Sequence, residues 1–481
     1  MGPLSVYFRC PGDFLEGVRV AAPAAAAPAG YFAFGPETTL YGRLAPQVPA
    51  ASPEEPLHDA SADVAITDGA IGLPFDPREA IANLRHEAYT GGDARSGTQS
   101  LAAKIYYFFR PLLSVAARKH LQKLRLRNWN RRPFPRWPVD FSVDNLHEQL
   151  LVLALRASGI QHVPFIWFWP EGHSACAMMS HDIETEAGRD FCATLMDLDD
   201  SRGIKGSFTV IPEERYEVPQ TLIDSIHDRG HEVAVHDLNH DGHLYDNRAQ
   251  FLERVSKINE YGRKFGASGF RAGVLYRNQD WFNEFQFAYD MSVPNVAHLD
   301  PQRGGCCTVM PYFIGDLLEI PLTDIQDYSL FHILNEYSTD IWKQQTAMIL
   351  ARHGLMSFIV HPDYIIEPEA RATFEALLDH LAHLRDTENV WTALPREINQ
   401  WWRQRAAMTL VRAKDGWRIE GAGAERARIA WAREIDGKLF YSVEPAATAA
   451  LSPSEKFHLL SGFRPLPGRV PVTDDSSAEI A

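Results

Sequence analysis

The sequence predicts an α/β fold whose main body is a closed or nearly closed barrel of about seven βα units, with a small β-rich unit before it and a small antiparallel β unit after it. Three observations carry this. Beyond Glu171, apolar runs of strand length ("ACAMMS", "GSFTVI", "HEVAVH", "SGFRAG", "DMSVPN", "LLEIPL", "LMSFIVH") alternate with longer helical stretches. Several of those helices end in Gly, the usual stop signal. The chain has 481 residues, 45% of them hydrophobic and 23% charged, which is enough for two or three cores of ordinary size.

Taken in order, residues 1–95 mix short strand-like pieces ("GYFAFG", "VAITDGAIGL") with Ala/Pro-rich connections and a helix-like "DPREAIANLRHEAY", and read as a small β-rich accessory unit. "GGDARSG" at 91–97 is the first linker signal. Residues 96–170 form a basic, aromatic helical connector. Within it, Leu101 to Val139 carries ten Lys or Arg and no Asp or Glu, interleaved with Tyr106, Tyr107, Phe108, Phe109, Trp129, Phe134 and Trp137. One reading is a surface for peripheral contact with an anionic membrane or lipid carrier. The other, favoured because the prolines prevent one uninterrupted helix, is an apolar stripe packed on the next domain with its basic face solvated. Residues 171–400 hold the barrel, 401–450 a small β unit ("MTLVRAKDGWRIEG", "ARIAWA", "KLFYSVE"), and 451–481 a tail of disordered composition.

A net charge of −15 argues against nucleic acid as a partner, since phosphate binding calls for a basic excess. The five cysteines, Cys10, Cys176, Cys192, Cys306 and Cys307, have no C-x-x-C spacing and fit a reducing compartment. No secretory signal pattern and no apolar run of about 18 residues is visible, so the expected location is cytoplasmic.

In a parallel βα barrel the reactive groups gather where strands end. Strand one ends in His181, Asp182 and Glu184, strand three in "HDLNHDGH" with His236, His240 and His243, strand four in Arg271, and the last strand in "VHPDY" with His361 and Asp363. His236 and His240 are four apart, so if a helix begins there both imidazoles share a face and reach one metal ion. Among 19 histidines such a pair arises by chance about once, and His227 with His231 is a second. Position after an apolar strand separates His236 and His240 from that decoy. A carboxylate with two histidines suits a divalent metal, Zn²⁺ first, with a position left open for water.

The ordered set "SHDIE", "HEVAVHDLNH", "GFRAG" and "FIVHPD" resembles the NodB-homology motifs of the polysaccharide deacetylase family, carbohydrate esterase family 4. The resemblance covers roughly residues 172–390 and implies a distorted seven-stranded (β/α) barrel. The family's first motif is usually two adjacent Asp residues. "HDIE" resembles its variant with one residue between the acids, which implies Asp182 as base and Glu184 as metal ligand; the inverse assignment, Asp182 on the metal, is the other reading. His236 and His240 match the two-histidine motif. Arg271 matches the Arg-x-Pro motif, where it would orient and charge-pair the base, but Gly273 stands where Pro is common. His361 matches the general acid. Either Asp290 or Asp300 is the expected partner of that histidine.

The resemblance implies a metal-dependent hydrolase acting on carbon–nitrogen bonds, removing an N-acetyl group from an amino sugar of a polysaccharide or its lipid- or nucleotide-linked precursor. Two alternatives are a hydrolase of a small non-sugar amide on the same fold and a catalytically silent carbohydrate-binding scaffold. Each residue also has a bland reading. Asp182 or Glu184 would cap the following helix, Arg271 would be an ordinary ion-pair residue, Cys306 and Cys307 would be buried loop residues, and Trp167, Trp169, Trp401 and Trp402 would pack between domains rather than stack on sugars.

Overall fold

The computed structural model describes residues 3–12, 20–21, 28–91, 129–414 and 416–445. Seven parallel strands form its centre: β1 (Ala175–Ile183), β2 (Gly206–Val210), β3 (Glu232–His236), β4 (Gly269–Arg271), β5 (Tyr289–Asp290), β6 (Leu317–Glu319) and β7 (Leu355–Val360). They lie side by side in the order β6-β5-β4-β3-β2-β1-β7. Tyr312–Ile314 runs antiparallel on β6, and Val390–Thr392 pairs with the start of β1. The distorted (β/α) barrel of seven parallel strands expected from the motifs is the fold observed.

Every residue of β1, β2, β3 and β7 is buried, as a sheet covered on both faces requires. Alternation then sorts the side chains. Met179, Phe208, Val233, Val235, Phe270 and Phe358 share a core with the helices α1 (Glu186–Ser201), α2 (Gln220–Asp228), α3 (Arg248–Phe265), α4 (Asp340–Leu350) and α5 (Pro368–Glu388). Their neighbours Met178, Ala234, Tyr289, Leu318 and Leu355 face the other way and pack with Trp167, Trp169 and Trp401. These indoles are buried packing residues, and Trp401, on the helix Pro395–Ala407, donates its Nε1–H to the Phe168 carbonyl at 2.7 Å.

The sheet does not close by a strand ladder. At the seam between β6 and β7, Asp324 N donates to Ser357 O (3.3 Å), Thr323 Oγ1 to Leu355 O (2.7 Å), and Ser357 N to Asp324 Oδ2 (3.0 Å). One backbone bond and two side-chain bonds thus supply the polar partners a ladder would have given.

"NQDWFNEFQFAY", of helical length in the sequence, forms only a 3₁₀ segment at Gln279–Glu284. Phe282, Phe285 and Phe287 are all buried, a spacing that pins the rest of the stretch as extended chain.

Before the barrel, the strands Ala29–Ala33 and Thr39–Arg43 form a hairpin against which the helix Pro77–Arg85 packs. The helix Ser142–Ser158 and the strand His162–Ile166 follow. After the barrel, Thr409–Ala413 pairs with Gly416–Glu420, and Ile429–Ile435 lies between Lys438–Val443 and His162–Ile166. The described residues up to Glu444 make one compact unit. The 451–481 tail and residues 101–128 of the basic segment lie outside the described residues.

Candidate active site

Asp182 and Glu184 sit on the same face of the chain because one residue, Ile183, separates them, and strand side chains repeat every second position. Ile183 turns outward into the helix-side core. Neither acid caps α1: that role belongs to Thr185, whose Oγ1 accepts from Gly188 N at 3.1 Å. The capping explanation for the two carboxylates is thereby removed.

Asp182 is opposite Thr209 on β2, and His236 is opposite Arg271 on β4. This register brings the groups together. Arg271 is fully buried and donates from Nη1 to Asp182 Oδ1 (2.6 Å) and Ser180 Oγ (2.9 Å), and from Nε to Met291 O (3.1 Å). Thr209 Oγ1 donates to the same Asp182 Oδ1 at 2.7 Å. Burial pushes the Asp182 carboxyl up, but the Arg271 guanidinium, the nearby imidazoles and the Thr209 hydroxyl overcome it and hold the group below the usual carboxylate range. With Oδ1 occupied, Oδ2 faces the site, 3.8 Å from His236 Nε2.

Among the described residues, one group of three side chains has the ligand atoms for a metal ion: Glu184, His236 and His240, with all three atoms within 4.8 Å of one another. His236 Nδ1 lies 3.2 Å from the Arg271 carbonyl, which can only accept, so Nδ1 carries the hydrogen and Nε2 is left for a ligand. The Nε2 atoms of both histidines are buried without a hydrogen-bond partner. His240 Nε2 is nevertheless 2.9 Å from Glu184 Oε1, close but misdirected. Orphaned nitrogens that crowd a carboxylate without bonding to it are what a shared third centre between them would require, and the donor set fits a divalent cation. Burial opposes ionisation of Glu184 most strongly, but the charge of His240 and the close imidazoles of His236, His240 and His361 together outweigh it, so the carboxyl is held well below its ordinary range.

The helix expected to unite His236 and His240 is absent; α3 begins only at Arg248. Instead Asp237 (φ 58°) and His240 (φ 55°) take left-handed backbone, and the tight turn they make brings the two rings to 4.8 Å. Arg215 approaches from outside and donates to the His240 carbonyl at 3.0 Å. Gly273 is explained by the same turn. A Cβ there would lie 2.6 Å from Asp237 Oδ2 and 3.0 Å from His240 Cδ2, so any side chain, proline's ring included, would collide with this turn.

His361 follows β7 and reaches Glu184 Oε1 with Nε2 at 3.5 Å. Its partner is neither Asp290 nor Asp300. Asp290 accepts from Ser292 N (2.8 Å) and Ser292 Oγ (3.0 Å), and Asp300 accepts from Gln326 Nε2 (2.8 Å). Asp327, in the loop after β6, accepts from His361 Nδ1 and from His361 N, both at 2.6 Å. Burial lowers the histidine's pKa, but the Asp327 carboxylate overrides it and raises the group well above its ordinary value. No motif marks Asp327 within "TDIQDYSL"; only its place after an apolar strand, in the register that gave the other site residues, could have found it. Thr209 was equally legible in principle, at the end of "GSFTV".

His181 points away from the site and pairs with buried Asp199 (2.9 Å), His231 accepts from Gly206 N (3.0 Å), and His243 pairs with Asp246 on the surface (2.8 Å). Cys306 and Cys307 are buried free thiols.

No protein-family model and no curated protein sequence matches the chain. Similar solved structures include a Mycobacterium smegmatis protein assigned as a polysaccharide deacetylase, with 18% identity and a TM-score of 0.42 over 52% of this chain and 98% of that one. Puue allantoinase has 14% identity and a TM-score of 0.39 over 49% of this chain and 92% of its own. The peptidoglycan deacetylase PdaC of Bacillus subtilis has 11% identity and a TM-score of 0.33 over 50% and 96%. These are distant similarities, and the chemistry of the site follows from the side chains of this chain.

Proposed function

We propose that the chain is a metal-dependent hydrolase that removes an N-acetyl group from an amino sugar, in a polysaccharide or in its lipid- or nucleotide-linked precursor. One observation carries the reading: two carboxylates a single residue apart have opposite surroundings. Asp182 is gripped by Arg271 and Thr209, whereas Glu184 lies among imidazole nitrogens. That supports Asp182 as base and Glu184 as ligand rather than the inverse.

A divalent ion on Glu184, His236 and His240, Zn²⁺ first among the candidates, would polarise the amide carbonyl and make water more acidic. Asp182 is ionised at neutral pH and accepts the proton of the attacking water at Oδ2, while Arg271 keeps Oδ1 fixed. His361, its Nδ1 tied to Asp327, presents Nε2 and gives its proton to the departing amine. Arg271 thus serves by orienting the base. Purified protein is expected to hold about one divalent ion and to release acetate from N-acetylated sugars; Asp182→Asn is expected to keep the ion and lose turnover. A metal-free, inactive wild type that still binds glycans would favour a silent scaffold instead.

Peripheral contact of residues 101–139 with an anionic membrane or lipid carrier, and a cytoplasmic location, belong to the same proposal. The support is the run of ten basic residues. Within the described part of that segment, Trp129 and Trp137 are already engaged with each other, edge-on at 4.5 Å. No helix among the described residues is long and apolar enough to cross a membrane. Flotation with anionic liposomes tests the contact, and an absence of preference for anionic lipid would remove it.

A further inference from the structure

The loop after β2 is tied on both sides to the chain that carries the metal ligands. Glu213 N donates to Leu238 O at 2.9 Å, in the turn between His236 and His240, and Tyr216 Oη donates to Ile183 O at 2.6 Å, next to Glu184. Between these anchors Glu214 takes left-handed backbone (φ 69°), which costs energy in any residue with a side chain and recurs at functional sites. The next residue, Arg215, meets His240: its Nη2 lies 3.0 Å from the His240 carbonyl and 3.2 Å from His240 Nδ1. Two glutamates precede Arg215, yet among the described residues its guanidinium has no ion pair. Glu213 accepts from Tyr261 Oη (3.2 Å) and Glu214 from Asn239 Nδ2 (3.3 Å) instead.

The contact with Nδ1 decides which ring nitrogen of His240 carries the hydrogen. A guanidinium stays charged, offers only N–H donors and accepts nothing. Nδ1 must therefore accept, and the neutral ring keeps its hydrogen on Nε2. That is the wrong tautomer for a ligand, because Nε2 is the atom turned towards Glu184 Oε1, 2.9 Å away. His236 is set the other way, with Nδ1 against the Arg271 carbonyl at 3.2 Å and Nε2 bare. A ligating histidine ordinarily gives its second N–H to an acceptor that fixes the tautomer the metal needs. His240 has a donor in that place.

We propose that Arg215 is a brake on the metal centre: it holds His240 in the tautomer that cannot bind, and an ion gains this ligand only as the guanidinium withdraws. The ring then loses a hydrogen at Nε2 and takes one at Nδ1, so no net proton is exchanged. Arg215 is exposed and has solvent to withdraw into, whereas His240 is buried. The inference rests on Glu184, His236 and His240 as the ligand set and deepens it: the two histidines are unequally prepared, and the set binds its ion more loosely than its donors alone would allow.

The test loads Zn²⁺ alone into the full chain and reads its affinity by competition with a chromogenic chelator, without turnover. Arg215→Gln brings an amide oxygen that can accept from Nδ1–H, and is expected to bind Zn²⁺ about tenfold more tightly than wild type, the scale on which the partner of a ligating histidine acts. Arg215→Lys keeps a charged donor and is expected to stay near wild type. Removing a positive charge also favours a cation, so the tautomer is read separately, by nitrogen NMR of the metal-free chain with labelled histidine, the His240 signals being assigned by their loss in His240→Asn. Hydrogen on Nε2 in wild type and on Nδ1 in Arg215→Gln is expected. Hydrogen on Nδ1 in wild type overturns the brake. So does a Zn²⁺ affinity that is unchanged or weaker in Arg215→Gln, the result for an arginine that only supports the turn through the His240 carbonyl. In both cases a wild type that holds Zn²⁺ leaves the metal centre standing. Zn²⁺ bound by none of wild type, Arg215→Gln and Arg215→Lys overturns the metal centre and the brake together.

Discussion

Asp182 and Glu184 are alike in chemistry and separated by one residue, so what each does is decided by what faces it. Asp182→Asn preserves the shape but cannot accept a proton, and turnover is expected to fall by roughly 10²–10⁴, the usual share of a positioned base, with metal content unchanged on elemental analysis. His236→Ala removes a ligand, and its metal content is expected to fall well below one ion per chain. Asp327→Asn keeps one acceptor for His361 but removes the charge; a loss of kcat of about 10- to 100-fold is expected, with KM little changed in steady-state kinetics. Asp182, Arg271, His236 and His361, proposed above as base, its partner, a ligand and the acid, stood out because each ends an apolar run, whereas His240 was picked from a helical spacing that the chain does not adopt. Asp327 was not, because Asp290 and Asp300 lie in equally good stretches of sequence, and only packing shows that the first is taken up by Ser292 and the second by Gln326.

At the scale of elements, the β3–α3 turn and the barrel seam each make a demand the pattern of apolar residues does not announce. The turn needs two left-handed residues and an empty position opposite, supplied by Asp237, His240 and Gly273. Gly273→Ala is expected to displace the His240 ring and weaken metal affinity by about 10- to 100-fold, the usual cost of disturbing the surroundings of a ligand, as a competitive chelator titration would read. At the seam, burial pushes the Asp324 carboxyl up to about 8, against the opposing hydrogen bonds from Thr323 and Ser357. The folded protein therefore keeps a proton that the unfolded chain gives up near pH 4. Between those limits the native state binds more protons, so this residue's contribution to stability falls as pH rises from about 4 to about 8. Asp324→Asn removes that loss; thermal melts at pH 6 and pH 8 are expected to differ less in the variant than in the wild type. The seven strands and most helices were readable from periodicity, but a seam held by one backbone bond and the side chains of Thr323 and Asp324 has no periodic signature.

Over the whole molecule, the unit before the barrel does more than precede it. Buried Glu87 receives Arg277 Nε at 2.8 Å from the loop after β4, and accepts from Gly305 N at 2.6 Å in the loop after β5. Loops at the mouth of the barrel are therefore fastened by a residue about two hundred positions upstream. Glu87→Ala leaves the Arg277 guanidinium buried without its carboxylate and is expected to cost about 3–5 kcal/mol in denaturant unfolding. The sequence could not show this tie, since nothing local relates Glu87 to Arg277. The account as a whole stands on the division of labour between Asp182 and Glu184, and the most direct measurement is bound metal and acetate release in the same preparations of wild type, Asp182→Asn and Glu184→Gln. It predicts an active wild type with about one ion, an inactive Asp182→Asn that retains it, and an inactive Glu184→Gln that has lost it. A preparation in which Asp182→Asn loses the ion while Glu184→Gln keeps it would contradict the account.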